Sequence, residues 1–500
     1  MARRLSVLAA LILISFLIVA AQAINIQFVR SSALDASPLN PKVAQASIGA
    51  PRGEIVAADG TILARSRLVA GAQSIYQRIY PLGTLTAGLV GFDSPSYGTW
   101  SLEAEYNSYL VPHAQPPQSL AQLLAPTSAT DNVTLTLQPS LERVAQRALA
   151  GRDGAAVVLD PRNGDILAMY SNPTYNPVPF TSFNFKTEEA AWKLDTANNA
   201  HGFPPLGLVS TQQTFPPGST FKIVTTSAVV VHKPQLLNKY YPNETTITLP
   251  NTTKTLSNYA FTNCGGTIAE MLPPSCDTGY ALVGLDIGGT DLAATANSFG
   301  YNEVPPIDLP GVVMSYFPSG SSFTYNQPQL AYSAIGQENV RTSALMNALV
   351  AGAVGHGGIM MTPHLLNYVT GSDGSIVKRF KPTVWKVPLK PSQAAQIVPL
   401  MVKVVTNGTA SGVGFPPVDN VAAKTGTSQV GNGVQNTDDW MIAFAPASDP
   451  TIAVAVVMPF QITAATGATV AGPIMKCLVE GALALQSGKK PSGTSTTCAR

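Results

Sequence analysis

The chain carries little charge for its size: only 12% of its 500 residues are Asp, Glu, Lys or Arg, about half the usual share in soluble proteins. With 30 basic residues against 28 acidic ones, the formal net charge is +2, which argues against nucleic acid or an acidic polymer held by field alone. Uncharged Ser, Thr, Asn and Gln must therefore cover much of the surface. An acidic external medium would explain the composition, as would drift; the acidic reading requires that stability not collapse near about pH 4. The five histidines are scattered at 113, 201, 232, 356 and 364, and no Cys or His spacing has the pattern of a zinc site. Neither a metal nor a cofactor is expected. Beyond residue 24 no stretch approaches membrane-span length with so few polar groups, so the bulk reads as a soluble, extracytoplasmic body.

Residues 5–24 are apolar except for Ser6, Ser15 and Gln22, long enough to cross about 30 Å of hydrocarbon. Arg3 and Arg4 precede them, which predicts a single-pass cell-membrane anchor with its N-terminus in the cytoplasm. Ala21-Gln22-Ala23 keeps a cleaved signal peptide as the rival reading, but the run exceeds an ordinary signal core. The 4 cysteines suit an oxidising compartment. Closeness in sequence favours Cys264 with Cys276 and Cys477 with Cys498, one of three connectivities, with free thiols as the alternative.

Five hundred residues exceed one core. The division read from texture is 1–24 tip and anchor, 25–130 a smaller, mainly β pedestal or dimerisation-like module, 131–486 the main domain and 487–500 a loose tail. A linker is placed at 113–130, rich in Pro, Gln, Ala and Ser. Asp59-Gly60 between apolar stretches predicts a hairpin, and so does Pro161-Arg162-Asn163-Gly164. The main domain is expected to be mixed α/β. Strands from 154–169, 422–427, 440–444 and 452–458 form one antiparallel five-stranded sheet, flanked by helices over 220–232, 328–355, 391–406 and 471–486.

Ser219-Thr220-Phe221-Lys222 is the most informative feature. Pro216, Pro217 and Gly218 end what precedes it, and the apolar run after it predicts a buried helix starting at the serine. Spacing of three puts Ser219 and Lys222 on one face of the first turn, where a desolvated amine can act as base for the hydroxyl. S-x-x-K is weak alone. Ser375 to Lys378 and Ser487 to Lys490 match it too, but the first reads as a turn between strands and the second as tail.

Lys424-Thr425-Gly426-Thr427 supplies a second motif on a predicted strand, and the two together are a known pairing of penicillin-binding proteins and serine β-lactamases. With Arg52-Gly53-Glu54-Ile55, Gly336-Gln337 and Asn407-Gly408-Thr409-Ala410, the chain resembles the class B penicillin-binding proteins over roughly 50–485, most of all the actinobacterial penicillin-binding protein A group. The family's third motif, S-x-N, departs here to Ser275-Cys276-Asp277. Ser182-Phe183-Asn184 matches the letters but precedes the nucleophile and reads as a surface loop.

The resemblance implies a monofunctional serine D,D-transpeptidase. Lys222 would deprotonate Ser219, which attacks the penultimate D-Ala carbonyl of a peptidoglycan stem peptide. Ser275 would pass a proton to the leaving amine, with Lys424 holding its hydroxyl. Thr425 and Thr427 would grip the terminal carboxylate beside Gly426, and the Ser219 and Thr427 N–H groups would form the oxyanion hole. Asp277 near Lys222 would either hold it as ammonium or, if protonated, donate as an amide does; the expectation is that Asp277 organises the site and that Asn can replace it. The same resemblance implies acylation by β-lactams, and as partners a SEDS-type glycan polymerase and divisome or elongasome proteins. A β-lactamase or β-lactam sensor is the enzymatic alternative, and a catalytically silent divisome scaffold the non-enzymatic one.

Overall fold

The computed structural model describes residues 2–26, 49–114, 128–430, 436–462 and 465–489. Helix α1, Ala2–Ile24, rises about 1.5 Å per residue, and its Leu11 to Val19 side chains have no protein cover. The front module follows with β1 (Ile55–Val56) and β2 (Ile62–Leu68), an antiparallel pair turning at Asp59-Gly60, where Gly60 has φ +83°. Strand β3 (Tyr76–Ile79) extends this pair. The module is pinned inside by a buried ionic cluster: Glu103 accepts from Arg52 at 2.9 Å and from Arg78 at 2.6 Å. Burial pushes the Glu103 carboxyl up, and the two arginines more than reverse it.

The next strand, β4 (Asn132–Leu135), joins the front module's sheet rather than the main one, running parallel to β1. The ends of the expected linker also pair, His113–Ala114 with Ser128–Ala129, while 115–127 lie outside the described residues. Helix α2 (Pro139–Leu149) leads to β5 (Gly154–Leu159) and β6 (Ile166–Asn172), the hairpin expected around 161–164. Then come α3 (Lys222–His232), α4 (Asp277–Ile287) and α5 (Ala344–Gly355). Strands β7 (Leu366–Thr370) and β8 (Ile376–Arg379) form a hairpin that returns to β4. Helix α6 (Pro391–Asn407) precedes β9 (Ala422–Val430), β10 (Asn436–Ala445) and β11 (Ile452–Ile462), and α7 (Gly467–Gln486) follows.

The five strands read from the sequence form one antiparallel sheet in the order β6-β5-β11-β10-β9. Every residue of β5 is buried, which is why its pattern is continuous rather than alternating. Helices α5 and α7 cover β10 and β11, two of the three inner strands. Helix α7 is long and apolar enough to span a membrane, but its Ile474, Met475, Leu478 and Val479 are buried, so it is a core helix.

The single helix expected over 328–355 is two, Gln327–Ala334 and α5. The break is at Gly336, whose φ is +77°, and a Cβ there would lie 2.1 Å from the Gly218 carbonyl oxygen. The polar run Gln337-Glu338-Asn339 that follows marks the interruption, and the helical reading of 328–355 passed over it. Gly336 instead accepts the Gly218 N–H at 2.9 Å, docking the connection on the residue before Ser219.

Candidate active site

Gly218, at φ +52°, opens a tight 3₁₀ turn, Gly218–Phe221, and Lys222 is the first residue of α3. Ser219 therefore sits in the turn and is half-buried, while Lys222 has no exposed surface. The turn is fixed to the sheet. The Pro216 carbonyl accepts from Ser428 Oγ at 2.7 Å and Trp440 Nε1 at 2.9 Å, and a Cβ on Gly426 would meet Pro217 O at 2.7 Å. Only glycine at 426 lets β9 approach the serine's turn so closely.

Ser275 stands between the two lysines. Its hydroxyl accepts from Lys424 Nζ at 2.8 Å and Lys222 Nζ at 3.2 Å, and its carbonyl accepts from Lys222 Nζ at 2.7 Å. Its backbone has φ +63°, an uncommon conformation for serine that costs about 1–3 kcal/mol unless the surroundings fix it. They do: its N–H donates to Leu272 O at 3.1 Å and that of Cys276 to Met271 O at 3.0 Å. Cys276, the middle residue of the motif, is disulfide-bonded to Cys264. Cys498 lies outside the described residues; Cys477 is buried in α7, and no free thiol occurs among the described residues.

Asp277 opens α4 and accepts from Lys222 Nζ at 2.7 Å. Among the described contacts no hydrogen bond joins Lys222 to Ser219. With Ser275 O, Ser275 Oγ and Asp277 around it, the amine's three donors are already engaged. Burial pushes the Lys222 amine below its ordinary value and Asp277 opposes that. Lys424, also fully buried, is pushed well down, by burial first and by the charge of Lys222 second. Two desolvated amines beside one carboxylate are both biased toward the neutral form and both reach the Ser275 hydroxyl, the disposition that proton transfer requires.

Thr425 Oγ1 lies 2.6 Å from Thr409 Oγ1, and Thr427 Oγ1 accepts from the Gly467 N–H at 3.0 Å, where α7 begins. The structure thus brings Ser219, Lys222, Ser275, Asp277 and Lys424 to Thr427 into one place. Ser182-Phe183-Asn184 lies elsewhere, with Asn184 capping the helix Phe185–Thr196. Ser375 sits in the β7-β8 turn and Ser487 caps α7.

Residues 154–480 match the penicillin binding protein transpeptidase domain, and residues 52–130 match the penicillin binding protein A dimerisation domain. The chain belongs to the penicillin-binding protein transpeptidases. It is 31% identical to the peptidoglycan D,D-transpeptidase PbpA of Mycolicibacterium smegmatis over 94% of this chain and 97% of that one. Identity to PbpA of Mycobacterium tuberculosis strain H37Rv is 30%, over 96% and 98% respectively. The fold superimposes on penicillin-binding protein A from M. tuberculosis in its penicillin G acyl-enzyme complex with a TM-score of 0.77 at 30% identity, covering 87% of this chain and 100% of that one.

Three residues of this penicillin-binding protein's site escaped the sequence reading. Asn258 is buried and its Oδ1 accepts from the N–H groups of Asp277 and Thr278, each at 2.9 Å, so it caps α4 from 19 residues upstream. Nothing local in the sequence signals that. Thr409 lay inside a motif that carried the resemblance, but no role was assigned to it. Asp439 sits opposite Thr427 in the β9-β10 pairing, and two adjacent acids before an apolar strand were a usable signal.

Proposed function

We propose that this chain is a peptidoglycan D,D-transpeptidase that cross-links stem peptides through an acyl-enzyme on Ser219 and is acylated there by β-lactams. The observation that carries the reading is the Ser275 hydroxyl, held between two fully buried lysine amines beside the turn of Ser219. Loss of one Lys222 proton, to Asp277 or to water, would leave a lone pair to take the Ser219 proton as the oxygen attacks the penultimate D-Ala carbonyl. Ser275, hydrogen-bonded to Lys424, would relay a proton to the departing D-Ala amine. Thr425 and Thr427 would hold the terminal carboxylate, and the N–H groups of Ser219 and Thr427 the oxyanion; each such donor is worth about 10²–10³ in rate. A neighbouring stem-peptide amine then attacks the acyl-enzyme.

The front module matches a dimerisation domain, which supports a monofunctional enzyme whose glycan strands come from a separate SEDS-type polymerase. The uncovered apolar helix α1 supports a single-pass membrane anchor with the catalytic body outside. The domain division at 24, 130 and 486 rests on composition, and β4, β7 and β8 join the front sheet across its boundary at 130.

The Lys222–Asp277 pair at 2.7 Å is the observation that favours a silent scaffold, since it stabilises the ammonium. Incubation with a fluorescent penicillin separates the readings. The wild-type chain should take up label that survives denaturation and Ser219→Ala should take up none; an unlabelled wild type would overturn the transpeptidase reading. An adduct lost within seconds would indicate a β-lactamase instead.

A further inference from the structure

Asp439 is fully buried on β10, and its carboxyl oxygens make no well-aligned hydrogen bond among the described residues, with only the hydroxyls of Thr427 and Thr437 close enough to favour its charge. Its Cα pairs with that of Thr427 across the antiparallel ladder, which puts the two side chains directly opposite on one face of the sheet. The hydroxyls of Thr427 and Thr437 flank the carboxyl, and Thr437 Oγ1 is itself unpartnered. A buried acid held only by two threonine hydroxyls is costly for structure alone.

We propose that Asp439 is a positioning residue for the Thr427 hydroxyl, and that its protonated form is the one that admits a donor carboxylate to the site. The proposal rests on the transpeptidase reading. Thr427 Oγ1 already accepts the Gly467 N–H, so the hydroxyl has one proton to give. An ionised Asp439 is the stronger acceptor and turns that proton inward, leaving lone pairs and a nearby negative charge toward the arriving carboxylate. A protonated Asp439 can instead donate to Thr427 or Thr437, and the Thr427 proton is then free to face the cleft.

The surroundings leave this titration to few groups. Desolvation by burial pushes the carboxyl up to about 7, while the Thr427 and Thr437 hydroxyls pull it back and Asp438 adds to the rise. Asp438, on the same strand, is the one charged neighbour that bears on it; it is itself pushed up to about 6, by burial first, while the Phe460 N–H and Arg341 pull the other way. The elements packed against Asp439 present Thr427 from β9, Met458 from β11 and the backbone start of α7, none of which titrates in this range.

The test is the second-order rate of acylation by benzylpenicillin, whose carboxylate occupies the donor position, measured on the full-length protein in detergent from pH 5 to 9. The wild type should lose about tenfold in rate on an alkaline limb centred near pH 7, the size of one charge-assisted hydrogen bond. Asp439→Asn, a permanently neutral donor, should lack that limb, and Asp439→Ala, smaller and unable to ionise, should lack it as well. A general loss of packing would lower the rate by one factor at every pH and leave the shape unchanged. If either folded variant keeps the wild-type alkaline limb, the proposal is wrong while the transpeptidase reading stands. If the wild type is not acylated at any pH, both fall.

Discussion

At the scale of single residues, the site concentrates charge where water cannot reach it. Asp277 is the one carboxylate hydrogen-bonded to the lysine pair, and its side chain is about one-fifth exposed, 21%. Asp277→Asn should retain acylation by penicillin to within about tenfold, because an amide still accepts from Lys222, whereas Asp277→Ala should lose more. Stopped-flow acylation decides it, and loss in Asn with retention in Ala would contradict the organising role. Lys424 shows the cost of the arrangement. Its depressed pKa means that folding must release a proton which the unfolded chain keeps, so the penalty is full below the folded pKa and vanishes above the ordinary value of about 10.4. Lys424→Met should therefore abolish acylation yet raise the melting temperature at pH 7, with the gain shrinking toward pH 10. The sequence showed Ser219, Lys222 and Lys424 because their motifs are local. It could not show that Lys222 is turned toward Asp277, since that contact closes across 55 positions and depends on the left-handed backbone at Ser275.

At the scale of elements, the serine's turn is held by its neighbours more than by its own helix. The connection between Gln327–Ala334 and α5 touches it through Gly336, the Pro216 carbonyl ties it to β9 and β10, and Asn258 with the Cys264–Cys276 disulfide fixes the motif that opens α4. Gly336→Ala would put a methyl 2.1 Å from the Gly218 oxygen at a φ that L side chains rarely adopt. It should cost about 2–3 kcal/mol in urea unfolding and reduce acylation further than that loss of folded protein accounts for. Strands were the readable part of the fold. Runs such as Val157-Val158-Leu159 and Ala453 to Met458 are buried on both faces and cannot be mistaken for loops. Helix ends were less readable, because the residue that interrupts 328–355 acts through its contact with Gly218, 118 positions away.

At the scale of the whole molecule, sparse charge meets a set of buried acids. Burial raises Glu142 to about 8, Asp439 to about 7, and Asp438 and Asp195 to about 6. Each holds in the folded state a proton that the unfolded chain releases above about pH 4, so each subtracts stability as pH climbs from there to its raised value. Glu103 is lowered and behaves oppositely, contributing above about pH 4 and weakening below it. Glu142→Gln, which keeps the acceptor for the Met169 N–H, should therefore raise the melting temperature of the detergent-solubilised chain by more at pH 8 than at pH 5. An equal change at both would contradict it. Texture could not reveal that β4, β7 and β8, all read into the main domain, complete the front sheet in the order β8-β7-β4-β1-β2-β3.

That shared sheet sets a timetable for the newborn polypeptide. Residues 55–79 leave the ribosome early, yet their sheet is finished only by the hairpin ending at Arg379, when about three-quarters of the 500 residues have been made. Until then β4 offers a bare edge to any strand nearby. Synthesis thus delivers the front of this enzyme first and closes it late, so a pause or truncation between 136 and 365 strands an unfinished β-surface.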